Sequence, residues 1–235
     1  MDNILYAHSI KINDSICLHV PTVGEIYDNE DQYYAAVFSL IATPYDMMVQ
    51  LEDAGIDFTK INDFELFMML FKQFQQMDIS LIFGELDLSG FVIVQNESNG
   101  EYLLRDLETG VQIDRSIHAL ICKHIRKFLN LPRNDKRPGN DEARRYMLER
   151  ARLKQKRQAR KKRESQLENY IIALVNTEQF PYNYMTVRDL TIYQFYASLM
   201  QISHKIKFDN VMIGYYAGTV KDDSLKAQDK TWIKT

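Results

Sequence analysis

The chain has 235 residues, with 29 basic and 32 acidic side chains, 46% hydrophobic residues, five prolines and only two cysteines, Cys17 and Cys122. That composition excludes a disulfide scaffold and a low-complexity chain, and no run of about 18 apolar residues offers a membrane span. The near-neutral total hides an asymmetry: residues 144–163, RRYMLERARLKQKRQARKKR, hold eleven Lys or Arg against Glu149 alone, which leaves 18 basic and 31 acidic residues elsewhere, a net of −13.

In chain order, Ser9-Ile10-Lys11-Ile12 and Ser15-Ile16-Cys17-Leu18-His19-Val20 flank Asn13-Asp14, a pair suited to a tight turn, and predict a hairpin. Pro21 stops the second strand. Thr22 and Glu25 have the capping-box spacing, so a short helix is expected after them. Residues 31–41 read as helix. Thr43-Pro44 predicts an N-cap with proline at the first helical position, in a helix running to about Ala54 and ended by Gly55. Asn62 and Glu65 form a second box, with Ile61 and Leu66 as a staple. The helix expected over 63–76 repeats Phe64, Phe67, Met68, Phe71 and Phe74 at spacings of three and four.

Residues 80–114 change character. Leu81-Ile82-Phe83, Phe91-Val92-Ile93-Val94, Tyr102-Leu103-Leu104 and Val111-Gln112-Ile113 are short apolar runs. Ser98-Asn99-Gly100 and Glu108-Thr109-Gly110 are turns, and the whole reads as a small antiparallel meander. Ser116 is expected to cap a helix to about Leu131, with Ile117, Leu120, Ile121, Ile125 and Phe128 on one side. PRNDKRPG at 132–139 reads as a linker, and Asn140 as the cap of the next helix. From 141 to 177 there is no Pro or Gly, so one continuous rod of roughly 55 Å is expected. Thr186 and Asp189 suggest a third cap, for a helix over 187–207, followed by short elements. The fold class expected is α+β, mainly helical, divided into a body (1–131), a linker (132–139), a long basic helix (140–177) and a small helical C-terminal module (178–235).

Little in the chain suggests catalysis. There is no GxSxG, HExxH or GxxxxGK[ST], and acid pairs such as Glu30-Asp31 and Asp222-Asp223 read as solvated surface. Cys17-x-His19 and His118-x3-Cys122 have spacings that put two ligands on one face, yet the apolar flanks of Cys122 suit a buried thiol. The expectation is no enzyme, no metal and no cofactor. The basic segment, Arg144, Arg145, Arg150, Arg152, Lys154, Lys156, Arg157, Arg160, Lys161, Lys162 and Arg163, has three readings: a solvated connector, a nucleic-acid contact, or a docking arm for an acidic surface of this chain, a second copy or another protein. Met47-Met48 and Met68-Met69 come as adjacent pairs. With Phe71 they suggest an adaptable apolar groove, against the competing reading of irregular core filling.

Several segments carry a resemblance: PTVGEI at 21–26, Tyr33-Tyr34, ATPYDM at 42–47, DAGIDF at 53–58, Glu65-Leu66-Phe67, TEQF at 177–180, IYQF at 192–195 and YAGT at 216–219. Together they resemble proteins encoded among the tail genes of phages of Gram-positive bacteria, similar to tail assembly chaperones and more distantly to baseplate-hub proteins. The resemblance implies a non-enzymatic tail morphogenesis protein that covers the apolar helices of a tape-measure protein until tube protein polymerises, with tape-measure, tube or baseplate proteins as partners. It implies residence in the host cytoplasm during assembly. A structural virion component, held in a ring by copies of itself, and a nucleic-acid-binding protein are the alternatives; no membrane partner is expected.

Overall fold

The computed structural model describes residues 3–96, 100–160, 164–221 and 225–234. Strands β1 (Ser9–Lys11) and β2 (Cys17–His19) pair antiparallel with Ile10 opposite Leu18, and both side chains are buried. The Asn13 carboxamide oxygen closes the turn by accepting from the backbone N–H groups of Ser15 and Ile16. Helix α1 (Val23–Asp28) starts on the expected box: the Thr22 hydroxyl accepts from the Glu25 N–H, and the Glu25 carboxylate accepts from the Thr22 N–H at 2.7 Å. Helix α2 (Glu30–Ile41) follows, and α4 (Asp63–Phe74) starts on the Asn62/Glu65 box. Strands β3 (Phe91–Gln95), β4 (Tyr102–Asp106) and β5 (Gln112–Ile113) form the antiparallel meander.

Elsewhere the elements depart from expectation for local reasons. Thr43 and Asp46 bond reciprocally, closing a turn rather than opening a helix, and α3 is confined to Met48–Asp53. It does end ahead of Gly55, whose φ is +74°. Leu81-Ile82-Phe83 is not a strand: Ser80–Phe83 forms the single helical turn α5, started by Asp78 accepting from the Ser80 N–H and stopped by Gly84 at φ +62°. Helix α6 (Arg115–Phe128) is capped by Asp114, because β5 runs to Ile113 and leaves Asp114 as the first free acceptor. The expected turn at Ser98-Asn99 and the pair Asp222-Asp223 lie outside the described residues.

The continuous rod is two helices, α7 (Asp141–Ala159) and α8 (Gln166–Val175). Ser165 is extended and its hydroxyl accepts from the Glu168 N–H at 2.8 Å, a fresh start signal. Burial explains the break. Leu148 of α7 packs into one apolar cluster while Leu167, Ile171 and Leu174 of α8 pack into another. On one straight helix, at roughly 100° per residue, the second group would point roughly 100° away from Leu148.

Helix α9 (Ile192–Tyr216) begins later and runs further than expected, because Thr191, boxed with Gln194, is its cap; Thr186–Asp189 is a separate helical turn. Thr191 pairs with Thr22 as an antiparallel bridge: the Val23 N–H donates to the Leu190 carbonyl and the Ile192 N–H to the Pro21 carbonyl, each at 2.8 Å. Two capped helices thus leave one two-residue bridge. Gly24 lets α1 approach: a Cβ there would stand 3.2 Å from the Arg188 backbone oxygen.

The main core joins Val37 and Leu40 of α2, Phe67, Phe71 and Phe74 of α4, Ile121, Ile125 and Phe128 of α6, Leu167 and Leu174 of α8, and Phe195 of α9. A second cluster gathers Ala42, Met48, Val49, Leu51, Phe58 and Leu66 with Leu148 of α7. The protein is mainly helical with two small antiparallel sheets. Among the described residues, no helix is long and apolar enough to cross a membrane.

Candidate functional site

The basic helix is anchored at its entrance. In the linker, the Arg133 guanidinium makes a two-pronged bond to Asp63 (3.0 and 3.2 Å), and the Asn134 amide donates to Asp46 at 2.9 Å. Asn140 then caps α7 by accepting from the Ala143 N–H. Acids in the first turn (Asp141, Glu142) and cations in the last (Lys156, Arg157) follow the helix dipole.

Helical geometry then divides the cations. The inner face carries Arg144, Met147, Leu148, Ala151 and Arg152 at spacings of three and four, and it lies on α3. Leu148 is 7% exposed, in contact with the Met48, Val49 and Leu51 cluster. Arg144 forms ion pairs with Glu52 and, at 3.7 Å, with Asp57, and its guanidinium lies 5.2 Å from the centre of the Phe58 ring. Arg152 pairs with Asp53. Among the described residues, Arg144 and Arg152 are therefore the cations of this segment with carboxylate partners within the chain.

The outer face is different. Arg150, Lys154, Arg157 and Arg160 point away from α3, while Arg145 and Lys156 flank the docked face beside Glu52 and Arg152; all six are exposed, and none forms an ion pair among the described residues. Arg150 lies over the ring of Tyr146, 5.6 Å from its centre, and Tyr146 and Leu153 add exposed apolar surface between the charges. Lys161, Lys162 and Arg163 lie outside the described residues. From Arg145 to Arg160 the stripe extends roughly 22 Å.

The expected apolar groove is not a single surface. Met48 and Phe71 are buried, but in different clusters; Met47 and Met68 are half-buried against those same two clusters, and Met69 alone is exposed, at 51%. The reason is orientation. Helix α3 is the floor beneath α7, so Met48 is covered, whereas the α4 stripe turns toward the main core and leaves Met69 on its opposite side.

The His and Cys pairs also separate. His19 faces Glu25 at 3.4 Å. His118 and Cys122 are buried on α6, where His118 Nε2 donates to the Leu40 carbonyl at 3.0 Å, Cys122 Sγ lies 3.5 Å from the same oxygen, and Arg126 donates to the Ile41 carbonyl. Side chains one turn apart thus satisfy the carbonyls that end α2. Burial holds the His118 imidazole down to about 4 and pushes the Cys122 thiol up to about 12. Among the described residues, no group of three or more His, Cys, Asp or Glu is placed to hold a metal ion.

Sequence reasoning did not single out the acceptor face of Glu52, Asp53 and Asp57. The clue was present: acids at 52, 53 and 57 lie close together in the sequence, and the cations at 144 and 152 are eight residues apart on one helix face. A family model described as the YomV second domain matches residues 155–235, about a third of the chain, from the last turn of α7 through α9 and the tail. No curated protein and no solved structure matches the chain.

Proposed function

We propose that the protein is a non-enzymatic assembly factor that offers the outer face of α7 to an acidic surface on a partner protein, in a phage-related setting. The supporting observation is the sorting of charge: Arg144 and Arg152 have carboxylate partners, while six neighbouring cations face solvent with none among the described residues. Arg150 and Lys154, Lys156 and Arg160, Lys154 and Arg157, and Arg157 and Arg160 are like charges three or four residues apart. At about 0.2–0.5 kcal/mol each, these four pairs cost the helix about 1–2 kcal/mol. A partner carboxylate row offsets that repulsion and fixes orientation on encounter.

The setting rests on the match of residues 155–235 to the second domain of YomV, a Bacillus prophage-like protein, and on the resemblance of the sequence to tail morphogenesis proteins. The methionines are divided between two clusters, which offers less support to capture of apolar tape-measure helices than to docking through α7. A docking component of a tail or baseplate assembly fits better. The buried His118 and Cys122, engaged with a backbone carbonyl, favour a binding protein over an enzyme.

Co-expression with the products of neighbouring genes, followed by affinity purification at low and high salt, tests this. A stoichiometric protein partner is expected to be retained at low salt and lost when Arg150, Lys154, Arg157 and Arg160 become Gln. Retention by that variant refutes the reading. Tight binding of a DNA or RNA duplex, with affinity falling steeply with salt, would replace the protein partner by nucleic acid.

A further inference from the structure

A second cationic surface lies away from α7, in a cleft of about 450 Å³ between the start of α4, one side of α6 and the linker. Its rim carries Arg115, Lys123, Arg126 and Arg133 against a single carboxylate, Asp63. Two of these cations are held in place by bonds that leave other guanidinium N–H groups unused among the described residues: Arg133 by Asp63, and Arg126 by the Ile41 carbonyl. Arg115 and Lys123 are exposed and form no ion pair among the described residues. The floor is apolar, made by Phe64 and Ala119 above the buried Cys122.

The spacing of charge limits the occupant. Arg115 and Arg126 are at opposite ends of the α6 face, roughly 16 Å apart along the axis at about 1.5 Å per residue. A small anion reaches one end only. An extended chain, at about 3.3 Å per residue, covers that length in about five residues. The cleft is open along Arg115, Ala119 and Lys123, as a backbone-bearing ligand requires, rather than enclosed as small-molecule sites usually are.

We infer that this cleft receives an extended acidic segment of another protein chain, with carboxylates at both ends and an apolar side chain on the Phe64–Ala119 floor. It shares no residue with the α7 face, so it can succeed or fail independently of the function proposed above. Small-anion binding would require only the Lys123, Arg126 and Arg133 end.

The probe is a fluorescein-labelled peptide, Glu-Ala-Phe-Ala-Glu-Glu, titrated with the full chain by fluorescence anisotropy at low ionic strength. Saturable binding is expected, weakened by about tenfold or more in the Arg115→Gln, Lys123→Gln double variant and lost when the peptide glutamates are replaced by glutamine. Both substituted positions are exposed, so the variant should melt as the parent does, and its melting is checked alongside. Binding should persist in the variant carrying Arg150→Gln, Lys154→Gln and Arg157→Gln. Absence of saturable binding, equal binding by the glutamine peptide or the double variant, loss confined to the α7 variant, or pyrophosphate binding in place of the peptide would each overturn the inference.

Discussion

Truncating Leu148 to alanine should release α7 from the body without unfolding it. Leu148 is 7% exposed and is the one α7 side chain fully within the second cluster. Removing three carbons from that site forfeits about 2–3 kcal/mol at about 0.8 kcal/mol per group, with little added for a cavity because a surface-docked helix can settle. The exposed ion pair on the same face contributes less: Arg152 and Asp53 are 50% and 59% exposed, and such pairs are worth under about 1 kcal/mol. Leu148 therefore decides whether α7 stays docked. Hydrogen exchange read by mass spectrometry should show amides of 141–159 exchanging about 30- to 150-fold faster, the factor corresponding to about 2–3 kcal/mol, while those of 63–74 and 115–128 keep their protection. Unchanged exchange in 141–159, or an equal effect from Arg152→Gln, would refute the reasoning.

Gly24→Ala should destabilise by about 1–2 kcal/mol, seen as a lowered denaturant midpoint, because the new methyl meets the Arg188 backbone; a neutral result would mean that α1 and the Thr186–Asp189 turn can part freely. His118 is neutral in the fold, with its protonation held down to about 4 by burial against an ordinary value near 6.5. The unfolded chain therefore takes up the proton first, and stability present above about pH 6.5 should fall by about 2 kcal/mol by pH 5. Urea titrations across that range should show this slope flattened in His118→Gln; an unchanged slope assigns the effect elsewhere. In a thiol-labelling time course, exposed Cys17 should react at once and Cys122 only on unfolding; simultaneous labelling would contradict its burial.

The sequence made legible what is decided within a few residues. Thr22 with Glu25 and Asn62 with Glu65 carry both halves of a cap three residues apart, and both helices begin there. Thr43-Pro44 has the same look, but Asp46 supplies a closer acceptor and the turn closes on itself. At 165–168 the Ser and Glu of a start signal were readable, yet the lack of Pro or Gly spoke for continuity. Only the destination of Leu148 and Leu167 in separate clusters decides for two helices. The same limit applied to the site. Eleven cations could be counted in the sequence, but which two meet Glu52 and Asp53 depends on the docking of α7, a contact nearly a hundred residues apart in the chain. The methionine pairs left groove and core filling open, because a helix pattern gives the directions of side chains and not what lies above them.

The outer face of α7 is best tested by the affinity of the purified partner for the parent chain and for the variant with Arg150, Lys154, Arg157 and Arg160 changed to Gln, each measured across a salt series. The prediction is a loss of about tenfold or more at low salt, a flatter salt dependence, and unaltered exchange protection of α7. Equal affinities and equal salt slopes for the two proteins would contradict the account.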